Sequence, residues 1–199
     1  MNVPAESLSD PMILFHQWFE EAQKLPMREP TCMALATSTA EGVPSVRIVL
    51  LKQYTENGFY FFTNLTSRKG RELIENPHAA LCFYWMDLGR QIRVEGTVER
   101  VTEKEADDYF ITRRRGSQIG AWASKQSMVM EQESDLVNRV EEITQQFNGG
   151  PIPRPPFWSG FCLKPETIEF WQEGKYRLHQ RIRYSHLAAN AWKMERLYP

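Results

Sequence analysis

Short β-prone runs closed by turn dipeptides recur along most of this chain, and they constrain its fold more than any other feature. Cys32 to Thr37 is apolar and compact. Glu41-Gly42 then turns the chain into Ser45 to Lys52, a segment rich in branched side chains. Asn57-Gly58 is a hairpin signal, because both residue types tolerate the positive φ that a tight primed turn demands. Aromatic Phe59 to Thr63 follows it. Ala79 to Trp85 and Gln91 to Val101 read as two more strands, with Leu88-Gly89 between them. The C-terminal part returns to strands at 157–164, 167–172, 177–184 and 191–196.

Helical signals punctuate these strands. Asp10-Pro11 offers an N-cap and a proline at the first helical position, and Ile13, Leu14, Trp18 and Ala22 follow at helical spacing. An amphipathic helix is therefore predicted over 11–25, ended by Pro26 and Pro30. Ser67 caps a short helix through Ile74, stopped at Asn76-Pro77. Thr102 with Glu105 makes a capping box for a helix over 103–112. A further helical turn is predicted over 117–125 and a polar amphipathic helix over 131–147. Residues 148–156, rich in Gly and Pro, form a stiff loop. About seven strands with interspersed helices predict a mainly β fold with α elements (α+β): an antiparallel barrel decorated by helices. Residues 1–9 read as a flexible lead, and 10–199 as a single domain with a helical subdomain at about 103–149.

Composition removes several function classes. A net charge of -1 leaves no global basic field for nucleic acid, though it allows a local basic pocket for a small anion. No apolar run is long enough to span a bilayer, and no secretory leader is evident. Cys32, Cys82 and Cys162 are far apart and in no paired motif, so they read as reduced thiols in a cytoplasmic protein. His16, His78, His179 and His186 do not cluster with them, and no metal site is expected.

Four constellations carry possible chemistry. Arg47 and Lys52 flank the apolar Ile48, Val49, Leu50 and Leu51. Five residues apart on a regular strand, the two cations point to opposite faces, toward two anions or toward one anion and water. Ser67-Arg68-Lys69 follows Thr63-Asn64, and a polar turn entering a helix suits a phosphate or a solvated first turn. Tyr109, Arg113 and Ser117 are spaced by four. On a continuing helix they share one face and suit a phosphate clamp, the alternative being an arginine-rich helix end in solvent. Arg177, His179 and Arg181 line one face of a strand beside Trp171-Gln172, as a binding face or a soluble edge. No nucleophile elbow, zincin, P-loop or dinucleotide fingerprint is present. Several phosphate-competent sites without a nucleophile point to chemistry done by an organic cofactor.

These residues, together with FFTN (61–64), SRKGREL (67–73), FYW (83–85), GRQIRVEG (89–96), SQIGAWASKQS (117–127), EFWQ (169–172), RLHQR (177–181) and ERLYP (195–199), resemble the pyridoxine/pyridoxamine 5′-phosphate oxidases. The resemblance runs from about residue 11 to the end and implies an FMN-binding split barrel. It implies that residues 47–52 run along the flavin, with Arg47 near its phosphate. Phe62 and Thr63 would touch FMN, and Arg68 and Lys69 would hold its phosphate. Gln91, Gln126, Ser127, Trp171 and Arg181 would be further FMN contacts, drawn from two chains of a homodimer with FMN at the interface. Lys52, Tyr109, Arg113 and Ser117 would hold the substrate phosphate. Arg177, Leu178 and His179 would lie at the pyridine ring, with Arg177 and His179 orienting it and assisting proton removal.

The implied reaction oxidises pyridoxamine or pyridoxine 5′-phosphate to pyridoxal 5′-phosphate. O2 is the acceptor and hydrogen peroxide is released, with ammonia from the amine. Related split-barrel oxidases of phenazine biosynthesis, and a non-catalytic flavin or pyridoxal phosphate binder, are the alternatives. Two departures stand out. The N-terminal lead lacks the family's basic, tyrosine-containing segment, and Arg114 stands where the family commonly has proline.

Overall fold

The computed structural model describes residues 9–187 and 191–199, so the expected lead lies outside the described residues except for Ser9. Nine strands form one antiparallel sheet among these residues: β1 (Cys32–Ser38), β2 (Pro44–Leu50), β3 (Gln53–Thr55), β4 (Gly58–Asn64), β5 (His78–Trp85), β6 (Arg90–Arg100), β7 (Trp158–Gln172), β8 (Gln180–His186) and β9 (Trp192–Leu197). Five helices decorate it: α1 (Pro11–Lys24), α2 (Arg68–Glu75), α3 (Glu103–Thr112), α4 (Arg115–Ala123) and α5 (Glu133–Phe147). The ladder runs β2-β1-β5-β6-β7-β4-β3, and β2 and β4 come back within 8 Å of each other, which curls the sheet into a barrel. The expected α+β antiparallel split barrel is what the chain forms.

β7 explains the split. The sequence suggested separate strands at 157–164 and 167–172, but the chain continues through both. The first half of β7 pairs with β4 and the second half with β8, while β6 runs beside it from Phe161 to Gln172. The join is a bulge: the register shifts at Glu95/Gly96 opposite Pro165–Thr167. Gly96 permits it, since an added Cβ would sit 2.0 Å from the Lys164 carbonyl oxygen. Proline is tolerated there because a bulge spares its missing N–H.

The barrel core is aromatic. Asp10 caps α1 by accepting from the Met12 N–H at 2.8 Å, and the helix buries Leu14, Phe15, Trp18, Phe19 and Ala22. Phe15 meets Phe59 edge-on at 4.8 Å and Tyr54 at 4.9 Å, and Trp18 meets Phe170 at 5.3 Å. Truncating a side chain such as Phe15 costs about 3–5 kcal/mol. A second cluster joins Phe110, Ile119, Ala123, Ile143 and Ile152 to Trp158, so α3, α4 and α5 pack together against the start of β7.

Two expectations change here. α3 does not run on through Ser117. It ends at Thr112, Arg113 is extended at φ -71° and ψ 144°, and α4 begins at Arg115. Residues 177–179 are not strand. Lys175–Arg177 form a tight turn, and β8 begins only at Gln180, so Arg177, His179 and Arg181 do not line one strand face.

Candidate functional site

A cavity of about 980 Å³ opens between β2, β4, α2 and the α3–α4 junction. Residues 45–50 of β2 form one wall, with Lys52 beyond them. β2 stops at Leu50, so the alternation that would send Arg47 and Lys52 to opposite faces is broken, and both border this cavity. Leu51 turns the other way and is buried in the barrel core.

The floor carries the charge chemistry. Ser67 caps α2 by accepting from the Gly70 N–H, which brings Arg68 and Lys69 onto the cavity in its first turn. Lys69 is buried. Its Nζ donates to Gln126 Oε1 at 2.9 Å and to Thr63 Oγ1 at 3.2 Å, and among the described residues no carboxylate pairs with it. Burial, helped by the charge of Arg47, lowers its pKa to about 8. Arg47 donates to Thr37 Oγ1 at 2.5 Å and lies 3.5 Å from Glu72. Arg68 uses its Nε on Glu72 at 2.8 Å and lines the cavity.

Glu72 is thus a single buried carboxylate serving two guanidiniums. Burial would raise its pKa. Hydrogen bonds from Ser45, Thr37 and Arg68, with the Arg68 charge, outweigh that and hold it at about 2. The sequence reading left Glu72 unassigned, although its place four residues after Arg68 on a helix is the signal for such a pair.

The far wall is aromatic. Tyr109 stacks on Phe62 at 4.1 Å, Phe62 on Trp158 at 5.4 Å, and the Arg113 guanidinium covers Trp158 at 4.8 Å. Burial raises the Tyr109 pKa, keeping the phenol a donor, and lowers that of Arg113. Arg113 Nη1 is buried and has no hydrogen-bond partner among the described residues. Arg114, Ser117, Gln126 and Ser127 border the same space, and Ser127 takes a positive φ of 70°. Tyr109, Arg113 and Ser117 therefore converge, though through a break between two helices and not along one helix. Among the described residues no Asp or Glu lines the cavity. A lysine with no counter-ion and an orphaned arginine nitrogen cost free energy in an empty site, so the lining suits an anion such as a phosphate ester.

A second cluster lies away from this cavity in the chain. Gln91, Trp171 and Arg181 are directly paired across β6, β7 and β8. The His179 ring sits 4.6 Å from that of Trp171, and Arg177 and Leu178 are exposed on the adjoining turn. Arg181 is gripped by both oxygens of buried Glu169, at 2.8 and 3.1 Å. Glu169 was also missed, and no local spacing reveals it, because the pair forms only when β7 meets β8.

Fold and lining together define a split-barrel protein with a cationic, aromatic-walled cavity. Comparison with known proteins narrows the class. Residues 19–147 match the family described as pyridoxamine 5′-phosphate oxidase, and residues 158–199 match the pyridoxine 5′-phosphate oxidase C-terminal dimerisation region. A pyridoxine/pyridoxamine 5′-phosphate oxidase of Rubrobacter xylanophilus is 51% identical over 190 residues, covering 96% of this chain and 87% of that one. That of Gluconobacter oxydans is 50% identical over 191 residues, covering 96% and 95%. Among solved structures, PhzG from Burkholderia lata, in complex with tetrahydrophenazine-1-carboxylic acid, superposes with a TM-score of 0.91 at 33% identity, covering 100% of this chain and 99% of that one. The chain belongs to the pyridoxine/pyridoxamine 5′-phosphate oxidase family.

Proposed function

We infer that this protein is an FMN-dependent oxidase converting pyridoxamine or pyridoxine 5′-phosphate to pyridoxal 5′-phosphate. Its acceptor is O2, it releases hydrogen peroxide, and the amine substrate also yields ammonia. One observation carries the site assignment. Among the described residues, two cations of the cavity are withdrawn from solvent without an acidic partner, Lys69 on α2 and Arg113 between α3 and α4, which suits two phosphorylated ligands in one cavity.

Lys69, Arg68 and Arg47 would hold the FMN phosphate, with Gln126 and Ser127 beside them. Phe62, Thr63 and residues 48–50 would form the wall along its ring. Lys52, Tyr109, Arg113 and Ser117 would hold the substrate phosphate. Bound FMN supplies the two-electron acceptor that these side chains lack. The protein fixes two phosphates, excludes water with the Phe62–Tyr109–Trp158 stack, and sets the donor carbon in place.

Gln91, Trp171, Arg177, Leu178, His179 and Arg181 would complete the site from a second copy of the chain. Their separation from the cavity supports this, as does the match of 158–199 to a dimerisation region. A reducing, cytoplasmic setting suits the three free cysteines, whose thiols burial pushes up in pKa.

The test is direct. The protein is loaded with FMN, freed of excess, and given pyridoxamine 5′-phosphate in air while pyridoxal 5′-phosphate and peroxide are followed. Continuous formation of both, beyond one equivalent per flavin, is expected. Retained flavin with turnover only on a reduced phenazine would replace this reading with the PhzG-like one, which the 33% identical neighbour favours.

A further inference from the structure

The turn between β7 and β8 holds the ring of His179 from two sides. The chain leaves the sheet at Gln172 and returns at Gln180. Between them Tyr176 and Arg177 both take positive φ, 56° and 64°. Such backbone costs about 1 kcal/mol or more per non-glycine residue, so it persists only where the surroundings impose it. The outcome is a loop tight enough that the Gly174 N–H donates to His179 Nδ1 at 3.3 Å. Gly174 has no room for a side chain: an added Cβ would lie 2.1 Å from the Leu178 carbonyl oxygen. Trp171 fixes the ring from the other side, with centroids 4.6 Å apart.

A neutral imidazole carries one proton. A nitrogen that accepts a hydrogen bond is the one without it, so a neutral His179 ring accepting from Gly174 carries its proton on Nε2. Nε2 meets no hydrogen-bond partner among the described residues. The only basic nitrogen of the ring is turned inward and occupied by a backbone amide.

We propose that Gly174 is a positioning residue that locks His179 as the Nε2–H tautomer, so that His179 meets the substrate as a hydrogen-bond donor, at an oxygen of the phosphorylated pyridine, and does not take up the substrate's proton. This rests on the reading that His179 stands over the substrate. It replaces an acid–base role with an orienting one, shared with the Arg177 guanidinium on the same turn.

Two measurements on the FMN-loaded protein test it. The first is a long-range ¹H–¹⁵N correlation spectrum with ¹⁵N-histidine, His179 being assigned by its loss in a His179→Gln variant. It should show a protonated Nε2 and an unprotonated Nδ1. The second compares His179→Gln, whose amide reaches the Nε2 position, with His179→Asn, whose amide reaches only Nδ1. The kcat/KM of the Gln variant should exceed that of the Asn variant roughly tenfold or more, as for one hydrogen bond to a charged group. A protonated Nδ1, or two impaired variants of which Asn is equal to or better than Gln, overturns the proposal and leaves the placement of His179 untouched. Wild-type turnover in both variants overturns that placement, and the donor role with it.

Discussion

The cavity and the β7–β8 cluster are both rich in arginine, yet they treat charge in opposite ways. In the cavity Lys69 is buried among hydroxyls and an amide, and Arg113 has a nitrogen with no partner. At the β7–β8 end both Arg181 and Arg93 lean on the buried Glu169 carboxylate. An unpaired buried cation is expensive, whereas a carboxylate-held one is already satisfied. The contrast teaches that the first set is arranged to receive an anion, and the second to present a surface of fixed shape. Glu72 sits between these cases, anchoring Arg47 and Arg68 while leaving Lys69 free.

The contrast can be broken experimentally. The largest effect is expected for Arg113→Ala, which removes the orphaned donor. The value of kcat/KM for pyridoxamine 5′-phosphate should fall roughly 30- to 1000-fold, about 2–4 kcal/mol, with flavin retention unchanged. Full activity in steady-state assays would remove Arg113 from the substrate site. Next comes Glu72. Its folded pKa lies below the ordinary carboxylate value, so its contribution is present above about pH 4.5 and is lost as pH falls toward about 2. On the order of 2–3 kcal/mol of acid-dependent stability should be missing from Glu72→Gln, read as urea midpoints against pH. Superimposable acid limbs would show that Glu72 is not held as described.

Mixing separately impaired Arg113→Ala and His179→Ala chains sharpens the comparison further. If each site combines one cavity with the other chain's β7–β8 cluster, random reassociation should restore roughly a quarter of wild-type activity. No recovery, with hybrid dimers demonstrated, would place both clusters in one chain's site. The smallest effect concerns Lys69. Burial lowers its pKa, so the unliganded fold gains stability as pH rises through about 8 while its affinity for a phosphate ester declines. FMN binding to the apoprotein should weaken between about pH 7 and 9, and Lys69→Met should bind roughly tenfold more weakly with little pH response. Riboflavin, lacking the phosphate, should bind both proteins alike.

Much of this architecture was legible before any coordinates. Asp10, Ser67 and the Thr102–Glu105 box cap the helices they signalled, and the β3–β4 hairpin forms where Asn57-Gly58 signalled it, though its loop is Glu56-Asn57 and Gly58 opens β4 with the positive φ of 138°. Such signals work because a cap or a tight turn is settled within four residues of backbone. The resemblance to a known family then named the cavity residues Arg47, Lys52, Arg68, Lys69, Tyr109, Arg113, Ser117, Gln126 and Ser127, all of which line one space. Where the reading used periodicity across a boundary it failed. Arg47 and Lys52 do not diverge, because β2 ends between them. Tyr109, Arg113 and Ser117 do not share a helix, because α3 ends before Arg113.

By itself, then, the sequence determined the helix ends, the hairpins, the antiparallel class and the residue types that recognise phosphate, all through interactions between near neighbours. Only the tertiary structure decided that β7 is one bulged strand shared by β4 and β8. It alone decided which cations share a carboxylate and which stand alone, and that the Gly174 amide reaches His179. Those outcomes depend on which distant segments come to lie side by side, and pairing across a sheet is fixed by packing and register that no local spacing encodes.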